Sequence, residues 1–288
     1  MTAAAVLPAD AVLMRLAAVA GFVFDMDGTL VLGDSSNHGL APLPGAIAIL
    51  EWLRERHLPF VVFTNGTSRP PAAYAESLAA VGLPVDAEAM LTPVSSAIEL
   101  FRRDGVRRVL ALGGAGLSGP LLAADFEVLE PVGRPNCDAV LIGWYPEFTM
   151  AALEAACHAA WGGAKVYSAS QALFFATRTG RTLGTSRAIA AMVKDLTGCR
   201  IHLVGKPAPA ALTCAARRLG VPQRQLAVVG DDPSLEVPMA HRGRSFAIAV
   251  ETGLGTADSY AALPAAAQPH LIVQGVEELL ALCRRHFQ

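Results

Sequence analysis

The chain lacks the cysteine and histidine patterns that mark disulfide frameworks and zinc sites. Its five cysteines in 288 residues form no CxxC pair and have no regular spacing, which favours scattered reduced thiols. The seven histidines form no HExxH motif, so no histidine-held metal is predicted. No uninterrupted apolar run reaches the roughly 18 residues of a membrane-spanning helix. The apolar start has no early positive charges, so a cytoplasmic protein without a membrane partner is expected.

An excess of one charge is also missing. Lys and Arg total 23, Asp and Glu total 25, and the net charge is −2. Nucleic-acid binding needs a basic field that this balance does not supply, so no nucleic-acid partner is predicted. Hydrophobic residues make up 53% of the chain, which is enough for one large or two modest domains.

Short β-rich runs alternate with Ala- and Leu-rich helical stretches, which favours an α/β fold with a parallel sheet. Four apolar runs each stop at a polar side chain: "GFVF" at Asp25, "FVVF" at Thr64, "IHLVG" at Lys206 and "LAVVG" at Asp231. Open α/β sheets bind ligands beyond the carboxyl ends of their strands. If these four strands lie parallel in one sheet, the four side chains meet in one place.

The spacing of these positions indicates an inserted domain. Thr64 and Lys206 are 142 residues apart, which is too long for a crossover between neighbouring strands. Further strand-like runs ("RVLALGG", "DAVLIGWY", "AKVYSAS", "ALFFAT") and helical stretches fill this interval. We therefore expect a discontinuous core domain, residues 1–85 and 201–288, with a second α/β domain at residues 86–200.

The stretch "FDMDGTL" places two carboxylates, Asp25 and Asp27, one residue apart. Such a pair is costly unless a cation binds it or one member is protonated. Mg²⁺ suits the pair because it takes a few oxygen ligands and leaves room for a substrate phosphate. An aspartate is also a competent nucleophile toward phosphorus, and a second carboxylate can protonate the leaving oxygen and later activate water. Gly28 permits the tight turn that places both side chains.

Phosphate-binding groups follow the other strands. Thr64 offers a hydroxyl, and Asn65 and Gly66 offer amides, before two prolines that suit the first turn of a helix. Lys206 in "VGKP" would place a positive charge against the phosphoryl group. Taken singly, each of these short motifs is more often a turn or a surface loop.

A third carboxylate for the metal is expected at Asp231 in "VVGDD". Asp232 and Glu236 are candidates for its outer shell. It is the order of the four motifs, together with their shared position after strands, that favours a functional site.

The motifs "DMDGTL", "TNG", "GKP" and "GDD" resemble, in this order, the four motifs of the haloacid dehalogenase superfamily. The continuation "DMDGTLVLGD", the form "FTNGTSR" and the position of the insert resemble its NagD-like, 4-nitrophenylphosphatase-type branch. This resemblance implies a Rossmann-like, doubly wound parallel-sheet core with an α/β cap between the second and third motifs.

The resemblance also implies roles for individual residues. Asp25 would be the nucleophile. Asp27 would be the general acid and base and would bind Mg²⁺ through its backbone carbonyl, while Asp231 would bind Mg²⁺ beside Asp25. The residues that would bind phosphate are Thr64, Asn65 and Lys206.

Two positions depart from the branch. Relatives usually have an aspartate where this chain has Glu236, so the role of that carboxylate, or its transfer to Asp232, stays open. Relatives often read "ATNPD" where this chain reads "ATRTG". Arg178 in that segment either selects an acidic substrate tail or is an exposed arginine on a loop.

Three features of the insert have alternative interpretations. Trp144 and Tyr145 could form an aromatic wall of a substrate pocket, although packing in a core or interface is favoured. The glycine-rich "LGGAGLSGP" lacks the GK[ST] ending of a P-loop and is predicted to be a turn. The Ala-rich helices serve packing within the chain or a homodimer interface through the cap.

These expectations describe a Mg²⁺-dependent phosphomonoesterase that acts on small phosphorylated metabolites, among them sugar phosphates, phosphoglycolate, nucleoside monophosphates and pyridoxal phosphate. A dehalogenase is disfavoured because attack at carbon needs neither Asp27 nor a Mg²⁺ site. A phosphotransferase or mutase, and a phospho-ligand sensor that has lost turnover, remain as alternatives.

Overall fold

The computed structural model describes residues 9–33, 39–177 and 180–287. The strands within these ranges are β1 (Gly21–Phe24), β2 (Val31–Leu32), β3 (Ala41–Pro42), β4 (Phe60–Phe63), β5 (Met90–Leu91), β6 (Arg108–Leu112), β7 (Glu127–Leu129), β8 (Ala139–Ile142), β9 (Lys165–Ser168), β10 (Phe174–Thr177), β11 (Gly180–Leu183), β12 (Ile201–Leu203), β13 (Leu226–Gly230), β14 (Phe246–Val250) and β15 (Leu271–Val273).

The α-helices within the same ranges are α1 (Ala9–Ala17), α2 (Ala46–Glu55), α3 (Pro71–Ala79), α4 (Pro93–Asp104), α5 (Ala115–Ala123), α6 (Met150–Trp161), α7 (Thr185–Thr197), α8 (Pro209–Leu219), α9 (Glu236–Gly243), α10 (Ala257–Ala261) and α11 (Val276–His286). In this described part of the chain no helix is long and apolar enough to cross a membrane.

A six-stranded parallel sheet has the order β15-β14-β13-β1-β4-β5. Three of the predicted strands, "GFVF", "FVVF" and "LAVVG", are β1, β4 and β13, and they are neighbours in this sheet. Helices cover both faces, so the predicted α/β class with a parallel sheet is confirmed. Because the three strands run in the same direction, their carboxyl ends meet at one edge.

The continuous apolar run of β1 reflects burial on both faces of the sheet. Phe22 and Phe24 pack with residues of α2, α3 and α11 on one side. Val23 points to the other side and packs with residues of α8, α9 and α10. Successive side chains of a strand alternate between faces, so a strand between two helical layers needs apolar residues at every position.

A second, five-stranded parallel sheet has the order β12-β9-β8-β6-β7. Its members β6, β8 and β9 fall within the strand-like runs "RVLALGG", "DAVLIGWY" and "AKVYSAS", as predicted. Helices α6 and α7 pack on one face, and α4 and α5 pack on the other. The fourth predicted run contains β10, which pairs with β11 in a separate antiparallel hairpin.

One strand expectation is wrong. The run "IHLVG" forms β12, which pairs with β9 in the five-stranded sheet instead of with the strand that ends at Asp25. Conversely, β5 lies within the predicted insert, residues 86–200, but pairs with β4 in the six-stranded sheet. The chain therefore changes sheets after Leu91 and again after Leu203, a few residues beyond each predicted boundary, because tertiary pairing decides which sheet a short apolar run joins. The division into core and cap domains at residues 86 and 200 stays a prediction.

The glycine-rich "LGGAGLSGP" also differs from the prediction, since its last six residues, 115–120, lie in α5 instead of a turn. A Cβ on Gly116 would lie 2.5 Å from the backbone nitrogen of Arg69. The small residue is therefore needed for close approach between this helix and the loop after β4, which a local sequence pattern does not reveal.

A half-buried histidine, His270, lies at the edge of the six-stranded sheet. The Nδ1 atom of His270 accepts a hydrogen bond from the Ala247 N–H at 2.9 Å, so this nitrogen carries no proton. Burial, with Arg15 and His241 adding positive charge nearby, lowers the pKa of His270 to about 4. The unfolded chain binds this proton near pH 6.5. It therefore holds more protons than the native state between about pH 6.5 and 4, and the free energy of unfolding falls as the pH drops through that window.

We predict that His270→Asn, which keeps an acceptor near the Ala247 N–H, removes about 1–2 kcal/mol of the acid-induced loss of stability between pH 6.5 and 4.5. The value is below the full linkage expectation because the ring is partly exposed. Urea unfolding at a series of pH values measures it. His57→Asn, which changes an exposed histidine, should keep the wild-type slope. If the free energy of unfolding of His270→Asn depends on pH as steeply as that of the wild type, the assignment of this dependence to His270 is contradicted.

Candidate active site

The turn after β1 brings Gly28 of the "DMDGTL" motif close to Asp231 of the "GDD" motif. Gly28 adopts φ 85°, a left-handed conformation, and a Cβ there would lie 2.5 Å from Oδ2 of Asp231. Both the backbone geometry and the close approach therefore require glycine. Asp25 and Asp231 follow the neighbouring strands β1 and β13, which places their carboxylates at the same sheet edge.

A buried lysine connects two of the carboxylates. The Nζ atom of Lys206 forms an ion pair with Oδ1 of Asp25 and a second one with Oε1 of Glu236, at 2.8 Å. Lys206 is only 1% exposed. Burial by itself lowers the pKa of this lysine, but the two carboxylates more than offset burial, so the pKa is raised and the ammonium stays charged.

Glu236 reaches this lysine because Gly230 lies beneath it. A Cβ on Gly230 would overlap Cγ of Glu236, so the longer side chain occupies space that the glycine leaves open. Oε2 of Glu236 also accepts a hydrogen bond from the Asp232 N–H at 3.2 Å. Asp232 itself turns away, and its Oδ1 accepts hydrogen bonds from the N–H and the hydroxyl of Ser234. The outer-shell role of Glu236 and Asp232 stays a prediction.

Asp27 has a different environment from Asp25. Its Oδ2 accepts a hydrogen bond from the Thr64 hydroxyl at 3.2 Å, and its Oδ1 is buried with no hydrogen-bond partner among the described residues. Burial, followed by the Asp25 carboxylate, raises the pKa of Asp27 to about 7, against the opposing effect of Thr64, Lys206 and Arg69. Two carboxylates with different environments can serve as nucleophile and proton carrier.

The loop after β4 contains the predicted phosphate donors, and each of them has a partner inside the protein. The side chain of Asn65 donates to the Lys206 carbonyl at 3.0 Å and accepts from the Lys206 N–H at 2.9 Å. The Gly66 N–H donates to the Thr64 hydroxyl oxygen at 3.0 Å. Asn65 therefore fixes the Lys206 backbone at the sheet edge, although β12 belongs to the other sheet. The phosphate-binding assignments stay predictions.

Comparison with known proteins agrees with this geometry. One family model, described as haloacid dehalogenase-like hydrolase, matches residues 22–127, and a second, described as HAD-hydrolase-like, matches residues 203–279. The structure is similar to 4-nitrophenylphosphatase from Thermotoga maritima, with a TM-score of 0.82, 26% identity, and coverage of 93% of this chain and 98% of that one. The chain belongs to the haloacid dehalogenase superfamily, in its NagD-like, nitrophenylphosphatase-type branch.

Other members show the same similarity. Chronophin from Rattus norvegicus is 27% identical over 274 residues, which cover 90% of this chain and 86% of the relative. Glycerol phosphate phosphatase from Mycobacterium tuberculosis, solved in complex with calcium, has a TM-score of 0.79 at 26% identity, covering 92% of this chain and 76% of that one. NagD from Escherichia coli, at 22% identity and a TM-score of 0.79, shows the shared fold. This hydrolase is therefore a phosphatase of the superfamily, whose phosphatases use a divalent metal.

The donor atoms of this phosphatase fit a divalent cation. Three buried carboxylates, those of Asp25, Asp231 and Glu236, lie in one pocket with one buried ammonium, that of Lys206, which pairs with Asp25 and Glu236. Burial, then the charges of Asp25 and Glu236, raise the pKa of Asp231 well above its usual value. This excess of negative charge would be relieved by a cation between Asp25 and Asp231.

Within the described ranges, no three His, Cys, Asp or Glu side chains are arranged as a metal-binding group. The expected ligand set contains only two such side chains in direct contact, since Asp27 would contribute its backbone carbonyl. Mg²⁺ commonly binds through one or two carboxylates and keeps several waters. The residues present therefore fit the ion, and the ligand roles stay predictions.

A cavity of about 530 Å³ lies between the loops of the two sheets. It contains Asp25 and Asp27, and Trp144 and Pro146 line it from the five-stranded sheet. Tyr145 instead packs with the core of that sheet, with its ring 6.0 Å from Phe148. Trp144 therefore lies in the pocket wall, whereas Tyr145 packs against the core, which was the favoured prediction for both residues.

Two residues of the cavity, Arg69 and Thr67, were not predicted from the sequence, although both lie in the segment "FTNGTSR". Arg69 stacks on the Tyr74 ring at 4.8 Å and donates to the Ser77 hydroxyl at 2.8 Å. Thr67 is buried and contacts the loop after β8. The recurrence of polar residues directly after "TNG" was the available signal. Arg178 lies outside the described residues, so its role stays a prediction.

We predict strong coupling between Gly230 and Glu236. Gly230→Ala alone should reduce the free energy of unfolding by about 2 kcal/mol because the new methyl group overlaps Glu236. In a Glu236→Ala background the overlapped Cγ is absent, so the same change should cost at least about 1 kcal/mol less. Chemical denaturation of the four proteins measures the coupling.

Gly119→Ala is the matched control for this cycle. Gly119 lies in α5, and a Cβ there meets nothing within 4 Å, so its effect should be small and equal in both backgrounds. Equal costs of Gly230→Ala in both backgrounds would contradict the contact with Glu236.

Proposed function

We propose that this phosphatase is a Mg²⁺-dependent phosphomonoester hydrolase that works through an aspartyl-phosphate on Asp25. The proposal rests on the different environments of two neighbouring carboxylates, those of Asp25 and Asp27. Lys206 binds Asp25 directly, whereas Asp27 forms no ion pair with the described residues and has a raised pKa. Asp25 therefore has a fixed positive charge beside it and serves as the nucleophile, while Asp27 is able to carry a proton near neutral pH.

In the first step, a carboxylate oxygen of Asp25 attacks the phosphorus atom of the ester. The bond from phosphorus to the ester oxygen breaks, and that oxygen takes the proton of Asp27 as the alcohol leaves. The fixed charge of Lys206 opposes the negative charge that gathers on the phosphoryl oxygens. Because Glu236 and Asp25 hold the Lys206 ammonium group in place, this group need not reorient during the reaction.

In the second step, water attacks the phosphorus atom of the aspartyl-phosphate. The Asp27 carboxylate accepts a proton from this water, the bond between phosphorus and Asp25 breaks, and inorganic phosphate leaves. Asp27 is then protonated again, as the first step requires. A pKa near 7 allows one group to act as acid and as base in turn.

Asp25, Asp231 and the Asp27 carbonyl would hold the Mg²⁺ ion. When bound, the ion supplies positive charge to the phosphoryl oxygens and lowers the repulsion between the phosphate and the carboxylates. The raised pKa of Asp231 beside Asp25 supports a cation at this point.

The substrates that we assign are small phosphorylated metabolites. The cavity of about 530 Å³ suits a molecule of that size. Two similar proteins, 4-nitrophenylphosphatase and glycerol phosphate phosphatase, are named for small phosphate esters. A cytoplasmic location and a homodimer through the cap are the accompanying predictions for this chain.

We predict Mg²⁺-dependent release of p-nitrophenol from p-nitrophenyl phosphate, abolished by EDTA. Asp25→Asn should lower kcat by at least about a thousandfold because the nucleophile is lost. Asp27→Asn should lower kcat by about a hundredfold or more. The loss in Asp27→Asn should be greater for alkyl phosphates, whose poorer leaving groups depend more on the acid.

The matched control is Asp195→Asn, which changes an exposed carboxylate on α7 and should retain wild-type turnover. Metal-independent hydrolysis, or wild-type turnover by Asp25→Asn, would refute the mechanism. Absence of turnover on a broad panel of phosphate esters would instead favour a sensor.

A further inference from the structure

Thr67 joins the loops of the two sheets. It lies three residues after Thr64 on the loop that leaves β4, and it is 1% exposed. Its hydroxyl oxygen accepts a hydrogen bond from the Trp144 backbone N–H at 2.7 Å. Trp144 stands two residues after the end of β8, in the loop that leaves the five-stranded sheet. A residue beside the catalytic centre therefore holds the backbone of a residue in the opposite sheet.

Two glycines, Gly143 directly after β8 and Gly116 in α5, make this contact possible. A Cβ on Gly143 would lie 2.7 Å from the Thr67 hydroxyl oxygen. A Cβ on Gly116 would overlap the Thr67 carbonyl oxygen and lie 2.5 Å from the Arg69 nitrogen. Both glycines are needed for close approach of the two loops, so the contact belongs to a packed interface and not to a chance meeting of surface groups.

The contact lies at the wall of the cavity. Thr67, Trp144 and Pro146 all line the space that contains Asp25 and Asp27. An indole ring offers a large flat surface with a π face, which suits an aromatic or apolar group. The phosphate end of every substrate is the same, so a wall residue away from the phosphate acts on the leaving group.

We propose that Thr67 is a positioning residue that fixes Trp144 in the cavity wall, and that this pair makes the enzyme prefer phosphate esters with flat, apolar leaving groups over small alkyl esters. The inference rests on the proposed phosphatase function and adds its leaving-group selectivity. Thr67 performs no proton or phosphoryl transfer. It acts through the position of the Trp144 backbone.

The test compares phenyl phosphate with ethyl phosphate in the full-length, Mg²⁺-supplemented enzyme. Thr67→Val removes the hydroxyl at nearly constant shape and leaves the Trp144 N–H without its acceptor. We expect the ratio of kcat/KM for phenyl phosphate to that for ethyl phosphate to fall about tenfold, mainly through the KM for phenyl phosphate. Thr67→Ser keeps the acceptor and should retain the wild-type ratio within about threefold.

A double-mutant cycle separates positioning from a merely structural role. Trp144→Ala should lower the same ratio at least as far as Thr67→Val does. Adding Thr67→Val to Trp144→Ala should change the ratio no further, because the hydroxyl then has no ring to position. If Thr67→Val does not fold, Gly143→Ala makes the test from the other side, since its methyl group would displace the same contact.

The outcomes distinguish this inference from the proposed function. Hydrolysis of neither ester by the wild type would refute the proposed function. Hydrolysis of both, with equal losses in Thr67→Val or with a ratio that Trp144→Ala leaves unchanged, would overturn the role of Thr67 alone. A tenfold loss in Thr67→Val that Thr67→Ser restores, with no further loss in the double variant, would establish it.

Discussion

The buried ion pairs of Lys206 are the interaction on which the site depends. Its ammonium group lies between the carboxylates of Asp25 and Glu236, and these three residues come from separate parts of the chain. A buried charge is tolerated only when it is well paired, so removal of the lysine would leave two buried carboxylates without their counter-charge. The hydrogen bonds between Asn65 and the Lys206 backbone hold the lysine at the edge of the six-stranded sheet. The same contacts therefore organise the fold locally and place a positive charge beside the nucleophile.

Much of the architecture could be predicted because its cause is local. The runs that form β1, β4 and β13 are apolar at every position, as burial between two helical layers requires, and each ends at a polar group. The strand before Lys206 could not be placed correctly. Three residues, Ile201–Leu203, fit either sheet by composition, and only their long-range pairing with β9 decides between them. Lys206 reaches Asp25 nonetheless, since the next residues return the chain to the other sheet.

The composition of the site could be predicted better than its contacts. Asp25 and Asp27 were recognisable from their spacing, but their different electrostatic environments arise from Lys206 and Thr64, which are distant in sequence. The direction of Glu236 depends on the space above Gly230. Whether Trp144 faces a core or a pocket likewise depends on a contact between two loops. Such contacts are tertiary, so no local motif encodes them.

The central claim is that phosphate passes through a covalent bond to Asp25. Rapid acid quench of the Asp27→Asn enzyme with p-nitrophenyl phosphate radiolabelled in its phosphoryl group, followed by peptide mapping, tests it most directly. This good leaving group depends little on the acid, whereas loss of the base slows hydrolysis of the intermediate and allows it to accumulate. The account predicts close to one covalently bound phosphate per chain, on the peptide that contains Asp25, and none in Asp25→Asn. Turnover without a covalent phosphate, or a phosphate attached to another residue, would contradict it.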